Sequence, residues 1–146
     1  MLAEHVSDLK ALQQITFDEY EGNKILRGYV ERTLQVCVQI CLDIGAHLIA
    51  EFGFRHPEDN KDIFVVLKEE GIVPKEFLPS LLNMAGFRNI IVHDYARVDN
   101  AAVYGILKRH LDDLDRYARL VNDFTERSLA AEDGNVMQDG TSLQNC

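Results

Sequence analysis

The sequence predicts an all-α protein, on three observations. Apolar residues recur at spacings of three and four along most of the 146 residues, no segment of any length alternates with a period of two, and only three prolines interrupt the pattern. A chain of this length buries a core without disulfides or metals. Its 47% hydrophobic residues are enough to fill one.

The elements follow in order. Leu2, Val6, Leu9, Leu12 and Ile15 form one amphipathic stripe over residues 1–16. Gly22 and Asn23 break the pattern before the longest helix, Lys24 to Phe52. There Leu26, Val30, Cys37, Cys41, Ile44, Leu48 and Phe52 form a stripe, while Val36, Val38, Ile40 and Ile49 make other faces apolar. A helix apolar most of the way round is central in a bundle, or shared between the core and a partner chain. Gly53 and Pro57 end it. Ile63, Val66 and Leu67 mark a short helix ending at Gly71. Pro74 opens the next, which carries Phe77, Leu78, Leu81, Leu82 and Ala85, with Pro79 limiting or bending its early part. A last helix from Ala101 to about Phe124 aligns Val103, Leu107, Leu111, Leu114, Tyr117 and Val121, with Asp99 or Asn100 as its N-cap. The expected architecture is three longer and two shorter helices packed as a bundle. Residues 1–127 form a single helical domain in this reading. Residues 128–146, with three acids, no Lys or Arg and two glycines, form an acidic, weakly structured tail.

Composition narrows the function classes. No run of eighteen uncharged apolar residues exists, so no membrane span is expected, and the acid-bearing start "MLAEHVSDLK" has no apolar signal region. The chain reads as cytoplasmic. Cys37, Cys41 and Cys146 match neither a redox pair nor a zinc spacing, and His47 alone completes no ligand set, so no metal is expected. Cys37 and Cys41 read as small buried hydrophobes. A net charge of −9 lacks the basic footprint of a protein that binds long nucleic acid nonspecifically, and no DNA partner is expected. It leaves room for a local cationic site acting on a short, presented RNA segment.

One segment does not suit a plain bundle: "GFRNIIVHDY", residues 86–95, sets Arg88, Asn89, His93, Asp94 and Tyr95 among apolar residues. On a continuous helix Asn89 and His93 share a face, whereas Arg88 and His93, five apart, diverge by about 140°. Either the helix ends near His93 and the chain turns, or two copies of the segment meet across a symmetry axis. Taken alone, an Arg–His pair at a helix end is structural: Arg ties to a carboxylate and His caps the C-terminus. The full set is also chemically coherent. His serves as general acid or base near neutral pH, Arg stabilises phosphoryl charge, and Asn orients either one.

Arg88-Asn89-Ile90-Ile91-Val92-His93-Asp94-Tyr95 fits the R-x(4)-H-x-Y motif and resembles the HEPN superfamily, specifically its HepT-like toxins. The likeness extends to "ERTLQVCVQICLDIGAHLIAEFG" at 31–53 and "LKRHLDDLDRYA" at 107–118, and covers roughly residues 20–125. It implies a HEPN-type helical homodimer with its active cleft at the subunit interface, and a metal-independent endoribonuclease that cuts RNA (tRNA or mRNA) by attack of the 2′-hydroxyl. Carried onto this chain, the resemblance makes His93 the acid–base group and Arg88 the group that stabilises the phosphate, with Asn89 in support, orienting the phosphate or the imidazole. No cofactor is needed for catalysis. The resemblance further implies the toxin of a type VII-like toxin–antitoxin pair. Its MNT-type nucleotidyltransferase antitoxin transfers AMP from ATP onto Tyr95.

Asp43 and His47 lie one turn apart on the long helix, with Glu51 one turn further. Asp43 is a further catalytic candidate, pairing with Arg88 or orienting His93. An Asp43–His47 pair or an Asp43–Arg32 pair that merely supports the bundle weighs equally. Tyr104 reads as core in preference to cleft lining. The competing functional class is a non-catalytic helical adaptor that a nucleotidyltransferase binds and modifies at Tyr95. An RNase assay on the unmodified chain separates the two.

Overall fold

The computed structural model describes residues 1–144, with side chains described through Glu132. Every regular element among the described residues is a helix: α1 (Leu2–Lys10), α2 (Phe17–Glu21), α3 (Lys24–Phe52), α4 (Asn60–Glu69), α5 (Leu78–His93), α6 (Asn100–Arg109) and α7 (Leu111–Gln144). Short 3-10 turns at Lys75–Phe77 and Tyr95–Arg97 flank α5. The expected all-α class holds, with seven helices where the apolar pattern suggested five.

The 29-residue α3 starts and stops as its sequence dictates. The Asn23 side chain accepts from the Leu26 N–H at 3.0 Å, and Gly53 at φ 68° supplies the left-handed C-cap that a side chain would strain. Around it the other six helices gather, each in contact with α3. By length and composition α3 is apolar enough to cross a membrane, yet half of its apolar window is buried inside the bundle. It is a core helix.

Burial concentrates where α3, α4 and α7 meet. Gly45 lets the Ile63 side chain and the Tyr117 hydroxyl approach so closely that a Cβ there would lie 2.6 and 3.0 Å from them. The Tyr117 hydroxyl donates to the Cys41 carbonyl at 2.8 Å, and its ring meets Phe64 edge-on at 5.6 Å. Each fully buried Leu or Phe contributes about 1.5–3 kcal/mol. Cys37 and Cys41 are buried free thiols, pushed up by burial, Cys37 to about 11, which makes them inert packing groups. Cys146 lies outside the described residues.

Four sequence expectations are corrected in detail. The first helix stops at Lys10 rather than running through residue 16. The carbonyls of Gln13 and Ile15 are taken by the Lys108 ammonium and the Tyr104 hydroxyl, so Leu12 and Ile15 pack from a turn. Pro79 sits in the first turn of α5, where it displaces no helical hydrogen bond, so it neither limits nor bends the helix. The expected helix over 101–124 is two, broken at His110, whose ring meets the Asp113 carboxylate at 3.3 Å. Asp99 is the N-cap of α6, as expected, accepting from the Ala101 N–H. Finally, α7 continues through 128–144, the span expected to be a weakly structured tail. Through Glu132, where side chains are described, no residue of this helix beyond Val121 is buried.

Candidate active site

Two helices build the site. α5 presents its C-terminal turn to α3, and helical geometry with an abrupt stop at His93 separates the polar residues of the motif. Asp94 closes the helix by donating its N–H to the Ile90 carbonyl at 2.8 Å, then leaves at φ −150°. The 3-10 turn that follows carries Tyr95 back toward α3.

Arg88 faces inward. Its Nη2 donates to Gln39 Oε1 on α3 at 2.7 Å, and its Nη1 donates to the neighbouring Asn89 Oδ1 at 3.2 Å. Gln39 in turn donates from Nε2 to Asp43 Oδ1 at 2.8 Å. This relay runs Asp43, Gln39, Arg88, Asn89. The Arg88 Nε is buried and meets no acceptor. An unsatisfied buried donor costs about 1–3 kcal/mol, and more on a charged group, so the guanidinium has unspent capacity for an incoming acceptor.

His93 is exposed at the end of α5 and makes no hydrogen bond among the described residues. One chain therefore holds Arg88 half-buried against α3 and leaves His93 open to solvent, in keeping with their angular separation. The Asn89 side chain meets Arg88, and no hydrogen bond joins it to the imidazole among the described residues.

The expected direct pairing of Asp43 with Arg88 is replaced by the Gln39 bridge. Asp43 does not pair with His47 either: the His47 imidazole meets Glu51 at 3.2 Å, one turn on, where both are exposed. Nor does Asp43 pair with Arg32 among the described residues. Tyr104 packs against Phe17 and Tyr20 as core.

Tyr95 has a double character. The residue is 61% exposed, yet its hydroxyl donates to Glu31 Oε2 at 2.6 Å, and Glu31 is only 5% exposed. The hydrogen bond to Glu31, then desolvation and the carboxylate charge, raise the Tyr95 phenol above its ordinary value. Sequence reasoning missed both Glu31 and Gln39. For Glu31 a signal exists: it continues the row Leu34, Val38 and Leu42 at helical spacing, which puts a carboxylate on a buried face. For Gln39, an amide on a partly apolar helix, no such signal stands out. No group of three or more His, Cys, Asp or Glu is placed to hold a metal among the described residues.

With this geometry in place, the comparisons with known proteins are informative. The family model described as ribonuclease HepT-like matches residues 2–121. The chain is 27% identical over 115 residues to the mRNA nuclease HepT of Shewanella oneidensis, covering 77% of this chain and 86% of that one. It is 24% identical over 124 residues to the tRNA nuclease HepT of Aphanizomenon flos-aquae, covering 85% and 84%. Its fold is similar, with a TM-score of 0.76 at 22% identity, to a tri-AMPylated Shewanella oneidensis HEPN toxin solved in complex with an MNT antitoxin, covering 84% of this chain and 91% of that one.

Proposed function

The chain belongs to the ribonuclease HepT-like family, and from that premise we propose that it is a toxin endoribonuclease, silenced when a partner nucleotidyltransferase transfers AMP from ATP to Tyr95. The observation that carries the reading is Arg88: a guanidinium fixed by Gln39 and Asn89, with a buried donor left over, at the end of a helix that leaves His93 free.

The chemistry is transesterification within the RNA. A ribose 2′-hydroxyl attacks the adjacent phosphorus, the bond to the 5′-oxygen breaks, and the products carry a cyclic phosphate and a 5′-hydroxyl. His93 moves the proton at one of the reacting oxygens, a role that suits an exposed imidazole. Arg88 stabilises the charge that builds on the phosphoryl oxygens, and Asn89 and Gln39 hold its plane. Neither role requires a metal ion.

Two copies complete the cleft. α3 presents a solvent-facing row of Ile25 (86% exposed), Tyr29 and Arg32, continued by the half-buried Val36 and Gln39. Val92 of α5 is also exposed. A row that mixes exposed Ile25 and Tyr29 with Arg32 and runs into the Arg88 anchor fits a symmetric partner. The net charge of −9 disfavours nonspecific RNA binding, so the substrate is a presented segment of an mRNA or tRNA gripped locally.

Attachment of AMP to Tyr95 adds bulk and a negative phosphodiester beside the motif and repels an RNA backbone. The test is RNA cleavage by the purified, unmodified chain with EDTA present, alongside His93→Ala. Cleavage that needs no divalent ion and disappears in the variant supports the proposal. Cleavage undiminished in the variant overturns the mechanism, and an inert wild-type chain that still accepts AMP makes it an adaptor.

A further inference from the structure

Glu31 is the buried group that the cleavage chemistry does not use. It lies on α3 with 5% exposure, and its only hydrogen-bond partner among the described residues is the Tyr95 hydroxyl at 2.6 Å. Arg27, one turn earlier on the same helix, donates to the Glu21 carbonyl and makes no ion pair with Glu31 among the described residues, although its charge is felt at the Tyr95 hydroxyl. A desolvated carboxylate with a single donor is costly, and a neutral glutamine would tie the 94–97 turn to α3 at lower cost. Structural tethering therefore does not account for the charge.

Its geometry accounts for it. Phenols are neutral at physiological pH and weak nucleophiles until a base takes the proton. Tyr95 exposes its ring to an incoming partner while its hydroxyl proton points at a buried carboxylate. The reacting oxygen keeps its lone pairs free, and the proton already has an acceptor. Resting on the AMP-acceptor reading above, we infer that Glu31 is the general base for nucleotidyl transfer to Tyr95, so that the toxin supplies part of the machinery that silences it.

The step balances simply. The Tyr95 oxygen attacks the α-phosphorus of the nucleoside triphosphate, the new oxygen–phosphorus bond forms, and the bond to the β-phosphate oxygen breaks to release pyrophosphate. The phenolic proton passes to Glu31 Oε2 and then to solvent. A second feature prepares for the product. The Tyr20 hydroxyl is fully buried without a partner, and its ionisation is opposed first by burial and then by the Glu31 charge. Once Tyr95 is esterified and stops donating, Tyr20 remains a buried hydroxyl that has no partner among the described residues and feels the Glu31 charge. The charged and titratable groups felt at the Tyr95 hydroxyl are thus Glu31 and Arg27 of α3, and the Tyr20 hydroxyl of α2 feels Glu31, Arg27 and Tyr95 in turn.

The test follows AMP incorporation by intact mass over time, with the full-length chain, its nucleotidyltransferase and ATP. Glu31→Gln keeps an acceptor oxygen for the hydroxyl but takes no proton, so at neutral pH transfer should slow by on the order of 100-fold. The deficit should narrow as pH rises and the phenolate forms unaided. Glu31→Asp, which retains a carboxylate but withdraws it, should fall between. Glu31→Gln modified at the wild-type rate with an unchanged pH profile overturns the role of Glu31. If that variant does not fold, Glu31→Asp indistinguishable from wild type does the same. A wild-type chain that takes no AMP removes the acceptor reading itself, and this inference with it.

Discussion

Gln39 holds the Arg88 guanidinium at 2.7 Å across the α3–α5 contact, and it is itself held by Asp43 at 2.8 Å. The aim of the cation is thus set by an amide that turns one face to each charge. Gln39→Ala frees the guanidinium to swing and should lower RNA cleavage about tenfold, the equivalent of one hydrogen bond to a charged group. Arg88→Ala should cost on the order of 100- to 1,000-fold. Arg88→Lys should recover little, because an ammonium cannot bond to Gln39, Asn89 and a phosphate in one plane. Single-turnover cleavage of a defined RNA measures all three.

His93→Ala should reduce cleavage by at least about 100-fold, the usual range for a general acid or base. The side chain is exposed and carries no hydrogen bond among the described residues, so the thermal midpoint should stay near wild type. A midpoint that falls along with activity would assign His93 to the fold instead.

Tyr95→Phe removes the hydroxyl that we propose as the AMP acceptor. Cleavage by this variant should persist when the nucleotidyltransferase and ATP are present, while wild-type cleavage declines under the same conditions. A parallel decline in both would place the modified group elsewhere.

Much of this was legible in the sequence, and what was not has physical reasons. The bounds of α3 follow from local signals, an Asn before it and a Gly after it, which act within a turn of the chain. The break at His110 has no such signal, because the apolar stripe runs straight across it. The end of α1 likewise lacks a local signal, and the turn beyond it is held from a distance by Tyr104 and Lys108, which bond the Ile15 and Gln13 carbonyls. The motif residues were visible as polar groups out of place. Their partners Gln39 and Glu31 lie 49 and 64 residues away in sequence, so only the packing of α3 against α5 and the following turn reveals them.

Gly45 predicts a stability effect remote from the site. Gly45→Ala pushes a methyl into Ile63 and the Tyr117 hydroxyl and should destabilise the chain by about 1–3 kcal/mol, despite the higher helix propensity of alanine. Tyr117→Phe, which loses the bond to the Cys41 carbonyl, should cost about 1 kcal/mol. Urea midpoints report both.

Acid should act through Arg55. Its guanidinium bonds to Asp62 and Glu69 together, and with the Glu58 N–H it holds the Asp62 carboxyl at about 2 against an ordinary 3.8. Glu69 is lowered as well. A depressed carboxyl contributes stability that is present above its ordinary value and is lost as pH falls through the folded one. Urea midpoints should therefore drop between about pH 4 and pH 2, and Arg55→Ala should flatten that slope.

Both anchors of the site, Gln39 and Glu31, project from α3, the helix that every other helix touches. A catalytic group carried on a surface loop can loosen while its scaffold stays intact. Here no such partial failure is available to Arg88, because the helix that aims it is also the keystone of the core. Heat inactivation should coincide with global melting, and between those limits the chain has no half-active state. The covalent control at Tyr95 proposed above would lower activity without dismantling the protein.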